Sequence, residues 1–288
     1  MTLLRIEHRS LYLYTRPVNF GRHRLVLRPR EGHDLRVERM ALEIRPAHHL
    51  VWTRDVFGNS VGVVDFLEPS AELEINSDVL LRHTAPFPRP SGHPPLPAAY
   101  PLLYDTLETT VASAYQAAAY PDDVDAVRGW LQAEGLPGDQ QDAEPLMLEL
   151  GRRVHEQIRY QRRGERGVQA PAETLRLRSG SCRDLSTLML DAARQLGFAA
   201  RFVSGYLDCA ASVAGRASMH AWVELYFPLG GWQGFDPTVN RPTGPEHVAA
   251  GVSNHPRGVM PISGMFAGTA SDYRELVATV KMGLAAEI

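Results

Sequence analysis

Apolar and polar positions alternate with a period of two through the N-terminal third of the chain. "LYLYT" (Leu11–Thr15), "HRLVLRP" (His23–Pro29), "DLRVERMALEIRP" (Asp34–Pro46) and "ELEINSDVLLR" (Glu72–Arg82) carry this pattern. It places one side of a β-strand in a core and the other in water. "DVFGNSVGVVDF" (Asp55–Phe66) reads as a hairpin in which Gly58 and Asn59 supply residues that tolerate positive φ. A run of short strands without a helical period predicts an antiparallel β-sandwich over residues 1–85.

The pattern stops at "APFPRPSGHPPLPAAYP" (Ala85–Pro101). Proline cannot donate to a ladder or sit inside a helix, so residues 86–101 are expected to form a stiff linker. Beyond it the period becomes helical over Tyr104–Ala119, Asp123–Glu134 and Glu144–Tyr160. Ser181 through Gly197 is the best-defined helix. Strands are expected at "ARFVSGYL" (Ala200–Leu207), "HAWVELYF" (His220–Phe227), "GWQGFDPT" (Gly231–Thr238) and "RELVATVKMGL" (Arg274–Leu284). Helices first and strands after predict an α+β domain over residues 102–288.

Composition adds exclusions. The chain has 288 residues and a net charge of −3, which argues against a strong nucleic-acid or anionic-membrane footprint. No apolar run is long enough to span a bilayer. The opening "MTLLRIEHRSLYLYTRP" lacks the pattern of a cleaved signal peptide, so a cytoplasmic, reduced protein is expected. There are two cysteines, Cys182 and Cys209, and no Cys-x-x-Cys pair.

Cys182 sits in the first turn of the best-defined helix. Ser181-x-x-Asp184 fits a capping box, and Gly197 is a natural stop. Cys182, Leu185, Met189, Ala192 and Leu196 share one apolar face, so the thiol points inward. The helix dipole favours thiolate there; Arg183 adds to this field and Asp184 opposes it. A lone cysteine is most often a small buried hydrophobe, and Cys209 keeps that reading. For Cys182 a base and an orienting group change it. If the loop after "HAWVELYF" is Pro228–Gly230, Phe227 pairs with Gly231, Trp222 faces Asp236, and His220 is a diagonal neighbour of Asp236. The carboxylate would then accept from the imidazole Nδ1 and turn Nε2 toward the thiol. The strand's parity works against this. Ala221, Val223, Leu225 and Phe227 form the apolar face that a helix would cover, and His220 lies opposite with Trp222 and Glu224. His220 reaches Cys182 only if both faces are covered or the strand twists at its start.

"SGSCRDLSTLMLDAARQLGFAARFVSGYL" followed by "HAWVELYFPLGGWQGFDPT" resembles the transglutaminase-like superfamily of papain-type thiol enzymes. "GRHRLVLRPR" and "RDVFGNSV" resemble the β-rich domain that precedes the core in its bacterial members. The resemblance implies a papain-like, transglutaminase-like core with Cys182 as nucleophile, His220 as base and then acid, and Asp236 as orienter. It implies a thioester formed from an amide or peptide carbonyl and then passed to water or to an amine. The Cys182 N–H is a free donor for an oxyanion; Gln169 and Tyr160 are candidates for a second donor and for substrate contact, and Trp222 for a pocket wall. Many bacterial members carry an Arg-Asp pair soon after the glycine at 251, where this chain has Val252 and Ser253. His255 and Arg257 in that stretch read as a solvated turn.

No cofactor is implied, and no metal: His8, His23, His33, His48 and His49 lack a second ligand at binding spacing. The Arg-rich stretch Arg152–Gly167 reads as a solvated helix face and its exit loop. The expected function is a hydrolytic thiol enzyme, a cysteine protease or amidase, since water is the default acceptor. A protein-glutamine transglutaminase or amide-remodelling enzyme is the alternative, and an inactive peptide-binding module the third. The expected partner is a peptide or protein amide, not nucleic acid or membrane. Some bacterial relatives occur beside ATP-dependent amide ligases, which makes a functional link to such enzymes an expectation too.

Overall fold

A computed structural model describes residues 2–84, 98–164, 167–208, 218–228 and 230–285. Cys209 and most of the expected linker lie outside the described residues. The N-terminal third is built from β1 (Thr2–Phe20), β2 (His23–Leu25), β3 (Leu35–Arg45), β4 (His48–Arg54), β5 (Ser60–Phe66) and β6 (Ser70–His83). β1 pairs antiparallel with β6, and β6 with β3; a second sheet holds β2, β5 and β4. Tyr14, Val18, Leu25, Ile44, Val64, Leu73 and Ile75 fill the space between the two sheets, as the alternating pattern requires.

The hairpin around Gly58 forms between β4 and β5, with Arg54 opposite Ser60. Gly58 takes a positive φ of 74°, and Asn59 does not. Asn59 is fully buried instead. β4 did not stand out in the sequence because its pattern is mostly exposed.

The middle of the chain is helical: α1 (Thr106–Gln116), α2 (Val124–Ala133), α3 (Ala143–Gln157), α4 (Pro171–Leu177) and α5 (Cys182–Gln195), with short parallel strands β7 (Arg159–Tyr160) and β8 (Ser179–Gly180) leading into α5. α4, a seven-residue helix with Pro171 at its first turn, is too short to show a period. A five-stranded antiparallel sheet follows: β9 (Ala200–Leu207), β10 (Ser218–Phe227), β11 (Gly231–Asp236), β12 (Arg241–Pro242) and β13 (His247–Ser253), in the order β12-β11-β10-β9-β13.

This sheet is covered on both sides. Ala221, Val223, Leu225 and Phe227 share a core with Leu185, Leu188, Met189 and Ala192 of α5. On the other side Val203, Trp222 and Val252 pack together with Phe57 from the N-terminal unit. Gly205 leaves room for the indole, since a Cβ there would lie 2.6 Å from Trp222 Cη2. β13, buried at every position but Ala249 and rich in small residues, lacks the alternation by which a half-exposed strand is recognised.

The last part of the chain departs from the expected partition at 102–288. β14 (Ile262–Ser263) pairs with β2, and β15 (Phe266–Ala267) and β16 (Tyr273–Leu284) pair with β1. The expected strand at 274–284 exists, but it joins the N-terminal sheet. β1 is 19 residues long and would otherwise present an unpaired row of N–H and C=O groups. Among the described residues no helix is long and apolar enough to cross a membrane.

Asn59 ties the two units together. Its Nδ2 donates to Val252 O at 2.7 Å and its Oδ1 accepts from Val252 N at 2.9 Å, so it pairs with the outer edge of β13 as a strand would. Asn59→Ala strands both groups in a dry interior and is expected to cost on the order of 3 kcal/mol. Urea unfolding should show this as a lower midpoint with an unchanged slope.

Candidate active site

Gly180 and Ser181 set the entry to α5. A Cβ on Gly180 would lie 2.7 Å from Asp184 Cβ, so only glycine lets the chain turn this tightly over the cap. Asp184 is fully buried. Its Oδ2 accepts from Ser181 N at 2.7 Å, one arm of the capping box expected from the sequence, and also from Ser181 Oγ at 2.8 Å. Its Oδ1 accepts from Gln169 N at 2.7 Å and from Arg163 Nη1 at 3.1 Å. Arg163 thus offsets the negative charge that would oppose a thiolate. Cys182 occupies the first helical position, half-buried, where its backbone N–H has no acceptor within the helix.

His220 enters from β10, where it pairs with Gly205 of β9. The register with β11 is the expected one, with Phe227 opposite Gly231 and Val223 opposite Phe235. Asp236 ends β11, and its Oδ2 lies 2.6 Å from His220 Nε2. Its Oδ1 accepts from Thr238 N at 2.8 Å. The Cys182 thiol and the imidazole are near enough for each to shift the other. The ring is turned relative to expectation: Nε2 serves the carboxylate, which leaves Nδ1 for sulfur. Parity did not prevent the meeting, because both faces of the sheet are covered and His220 is near the strand's start.

The three groups shift one another. Burial alone would raise the Cys182 thiol, but the charge of His220, its hydrogen bond and the Arg183 guanidinium outweigh burial and the opposing charge of Asp236. The thiol therefore lies below its usual 9.0. Burial alone would lower His220; the Cys182 charge and the hydrogen bonds to Asp236 and Cys182 push it up to about 10. Burial would raise Asp236; hydrogen bonds from His220 and His247 and their charge hold it well below the usual carboxylate range. Together these favour a thiolate–imidazolium pair beside an ionised carboxylate.

The sequence reading missed His247. Its Nε2 lies 3.1 Å from Asp236 Oδ2, and its Nδ1 accepts from Gly244 N at 3.1 Å. His247 begins β13, and no spacing in the sequence links it to Asp236. His220, Asp236 and His247 bring their donor and acceptor atoms within 4.8 Å of one another. Both histidine Nε2 atoms lie within hydrogen-bond distance of the same carboxylate oxygen, Asp236 Oδ2.

Trp222 is 2% exposed and walls the histidine–aspartate pair, 5.2 Å from the His247 ring and 6.4 Å from that of His220. Tyr160 is half-exposed, and its backbone pairs with Gly180 two residues before the thiol. Gln169 departs from the expected role. Its amide, oriented to suit its neighbours, donates to Thr174 Oγ1 and Ser179 O and accepts from Arg163 Nε, so both ends are used within the loop. The Arg-rich helix face is internally neutralised, since Arg152 and Arg153 pair with Glu149, Glu156 and Glu134. His255 caps a short turn through Arg257 N and lies against Tyr120. His8 and His23 are buried strand residues bonded to Ser10 Oγ and Gly21 O.

Two concavities flank the site. A groove of about 540 Å³, lined by Gln161, Arg162, Arg163, Gln169, Ser179 and Gly180, borders the entry to α5. A larger cavity of about 950 Å³ lies behind the histidine–aspartate pair, where Trp222 and His247 face Arg30 and Leu35 of the N-terminal unit.

Residues 4–82 match the model of the bacterial transglutaminase-like N-terminal region, and residues 133–237 match that of the transglutaminase-like superfamily. This chain has a transglutaminase-like superfamily core. The matched stretch holds Cys182, His220 and Asp236 and ends before His247. The chain is 27% identical over 278 residues to uncharacterized protein Rv2569c of Mycobacterium tuberculosis, covering 91% of this chain and 86% of the relative. It is 23% identical over 287 residues to uncharacterized protein ML0607 of Mycobacterium leprae, covering 97% and 99%. The crystal structure of a "putative cysteine protease" from Cytophaga hutchinsonii superposes with a TM-score of 0.71 at 14% identity, covering 99% of this chain and 91% of that one. That likeness shows the fold: the N-terminal strands and the transglutaminase-like core recur as one arrangement.

In the transglutaminase-like core, Asp184 is the group on which the helix entry depends. Asp184→Ala leaves Arg163 and three further donors without their acceptor and is expected to destabilise the protein by about 3 kcal/mol or more. A thermal melt of the variant beside the unaltered protein checks this.

Proposed function

We propose that the protein is a cysteine-dependent acyl-transfer enzyme acting on amide or peptide bonds, with water as acceptor. The observation that carries this reading is the buried Asp236–His220 pair at 2.6 Å beside Cys182 at the start of α5, with His220 raised to about 10 and the thiol lowered. A merely structural cysteine has no need of a base and an orienting carboxylate.

The thiolate of Cys182 attacks the carbonyl carbon, forming a C–S bond while the carbonyl π electrons move to oxygen. The Cys182 N–H is the available helix-start donor for that oxyanion. The His220 imidazolium then gives its Nδ1 proton to the departing nitrogen as the C–N bond breaks. Neutral His220 next takes a proton from water, whose oxygen attacks the thioester. When the C–S bond breaks, the thiolate–imidazolium pair returns. Asp236 holds the ring through Nε2 throughout and stays ionised. The groove beside Gly180 is the natural seat for the acyl side of the substrate.

Iodoacetamide at neutral pH should label Cys182 at least about ten-fold faster than Cys209, read by peptide mass spectrometry. Equal rates would remove the activated thiol and favour a binding module. Ammonia release from a panel of glutamine peptides, with and without a primary amine, separates hydrolysis from transfer: amine-dependent product would make the protein a transglutaminase. Cys182→Ala should abolish either activity.

The pH profile follows from the shifts. The active pair needs the thiol deprotonated and the imidazole protonated. Activity should rise with pH through the lowered thiol value, below 9.0, and fall as His220 loses its proton near 10. A profile whose rising limb is centred at pH 9 or above would show an ordinary thiol.

A further inference from the structure

We propose that His247 is a positioning residue that holds Asp236 in place for His220. The proposal rests on the thiol-enzyme reading above. Asp236 ends a strand, and an unanchored carboxylate there could rotate about its own bonds and leave the imidazole. Three donors prevent this. Thr238 N takes Oδ1 at 2.8 Å, while His220 Nε2 and His247 Nε2 take Oδ2 at 2.6 Å and 3.1 Å. Asp236 is 1% exposed and His247 7%, so water does not compete for these positions.

The backbone fixes which nitrogen of His247 carries the proton. Gly244 N donates into Nδ1 at 3.1 Å, so the ring proton must sit on Nε2, aimed at Asp236. The loop that makes this contact is closed by His247 N donating to Gly244 O at 2.9 Å. The Trp222 ring lies edge-to-face against His247 at 5.2 Å.

Other charges near the network come from every packed element. Cys182 lies near from α5, and the Arg183 charge acts on that thiol. Glu246 Oε1 lies 3.6 Å from His247 Nδ1 but is drawn off by Arg241 at 2.7 Å. The cavity bordered by His247 also takes Arg30, Glu31, His33, Asp34 and His83 from the N-terminal unit. Glu144 and Glu224 line it from the core. A second donor on Asp236 keeps this carboxylate ionised and directed at His220, whatever the balance of those charges.

The test needs no substrate. The rate of iodoacetamide labelling of Cys182 is followed against pH in the unaltered protein, His247→Phe and His247→Gln, with Cys209 as internal reference. Phenylalanine fills the space without a donor; glutamine restores an N–H near the Nε2 position. His247→Phe should move the acid limb of the profile up by about one pH unit, a roughly ten-fold loss of rate on that limb. His247→Gln should stay close to the unaltered profile. An unchanged profile in a folded His247→Phe, or equal shifts in both variants, overturns the proposal. Should His247→Phe fail to fold, ¹⁵N spectra of histidine-labelled unaltered protein decide. A proton on Nε2 alone supports the proposal, whereas a proton on Nδ1 alone or on both nitrogens overturns it. If Cys182 of the unaltered protein reacts no faster than Cys209, the enzymatic reading itself fails and takes this proposal with it. A fast Cys182 that ignores His247 removes this proposal alone.

Discussion

His220, Trp222 and the carboxylate of Asp236 sit on a sheet whose far side would be wet without the N-terminal strands. The site depends on that cover. A charge pair a few ångströms apart is worth about 1 kcal/mol in water and several times more near a protein surface of lower polarity. Phe57 and Asn59 come from one turn of the N-terminal unit: the first packs on Trp222 and Val252, and the second binds the backbone of β13. The same turn therefore covers Trp222 beside the imidazole and fixes the strand that begins with His247.

The front of the site depends on a different arrangement. α5 must begin at Cys182 for its dipole to act on sulfur, yet its best cap is an aspartate, whose charge acts the other way. The conflict is resolved by distributing that charge over Arg163, Ser181 and the Gln169 N–H. Arg183 points elsewhere, donating to Val259 O and lying over Phe202, but its charge still lowers the thiol. The cap that starts the helix and the field that ionises the cysteine thus coexist.

Much of this was legible in the residues. Alternation located β3 and β6 closely, the strand expected at Ala200–Leu207 is β9, and the loop after Phe227 gave the β10–β11 register that brings His220 to Asp236. What escaped has physical reasons. Strand pairing specifies which residues are near but not how an imidazole is rotated, so the use of Nε2 toward Asp236 was open. Asp236 ends β11 and His247 begins β13, strands that β10 and β9 separate in the sheet, so no strand pairing or local pattern signals their meeting. Gln169 lost its expected role to three partners in its own loop. The return of β16 to β1 is a long-range pairing, Leu4 with Leu284, which composition and period cannot signal.

That pairing has a consequence for how the chain is made. β1, made before the core, shares a ladder with β16, made after it. While the ribosome is still adding the core, β1 has one neighbour and an open flank, so the N-terminal unit cannot finish folding as it leaves the exit tunnel. Its completion waits for β16, and closing so long a loop makes it a late event in assembly.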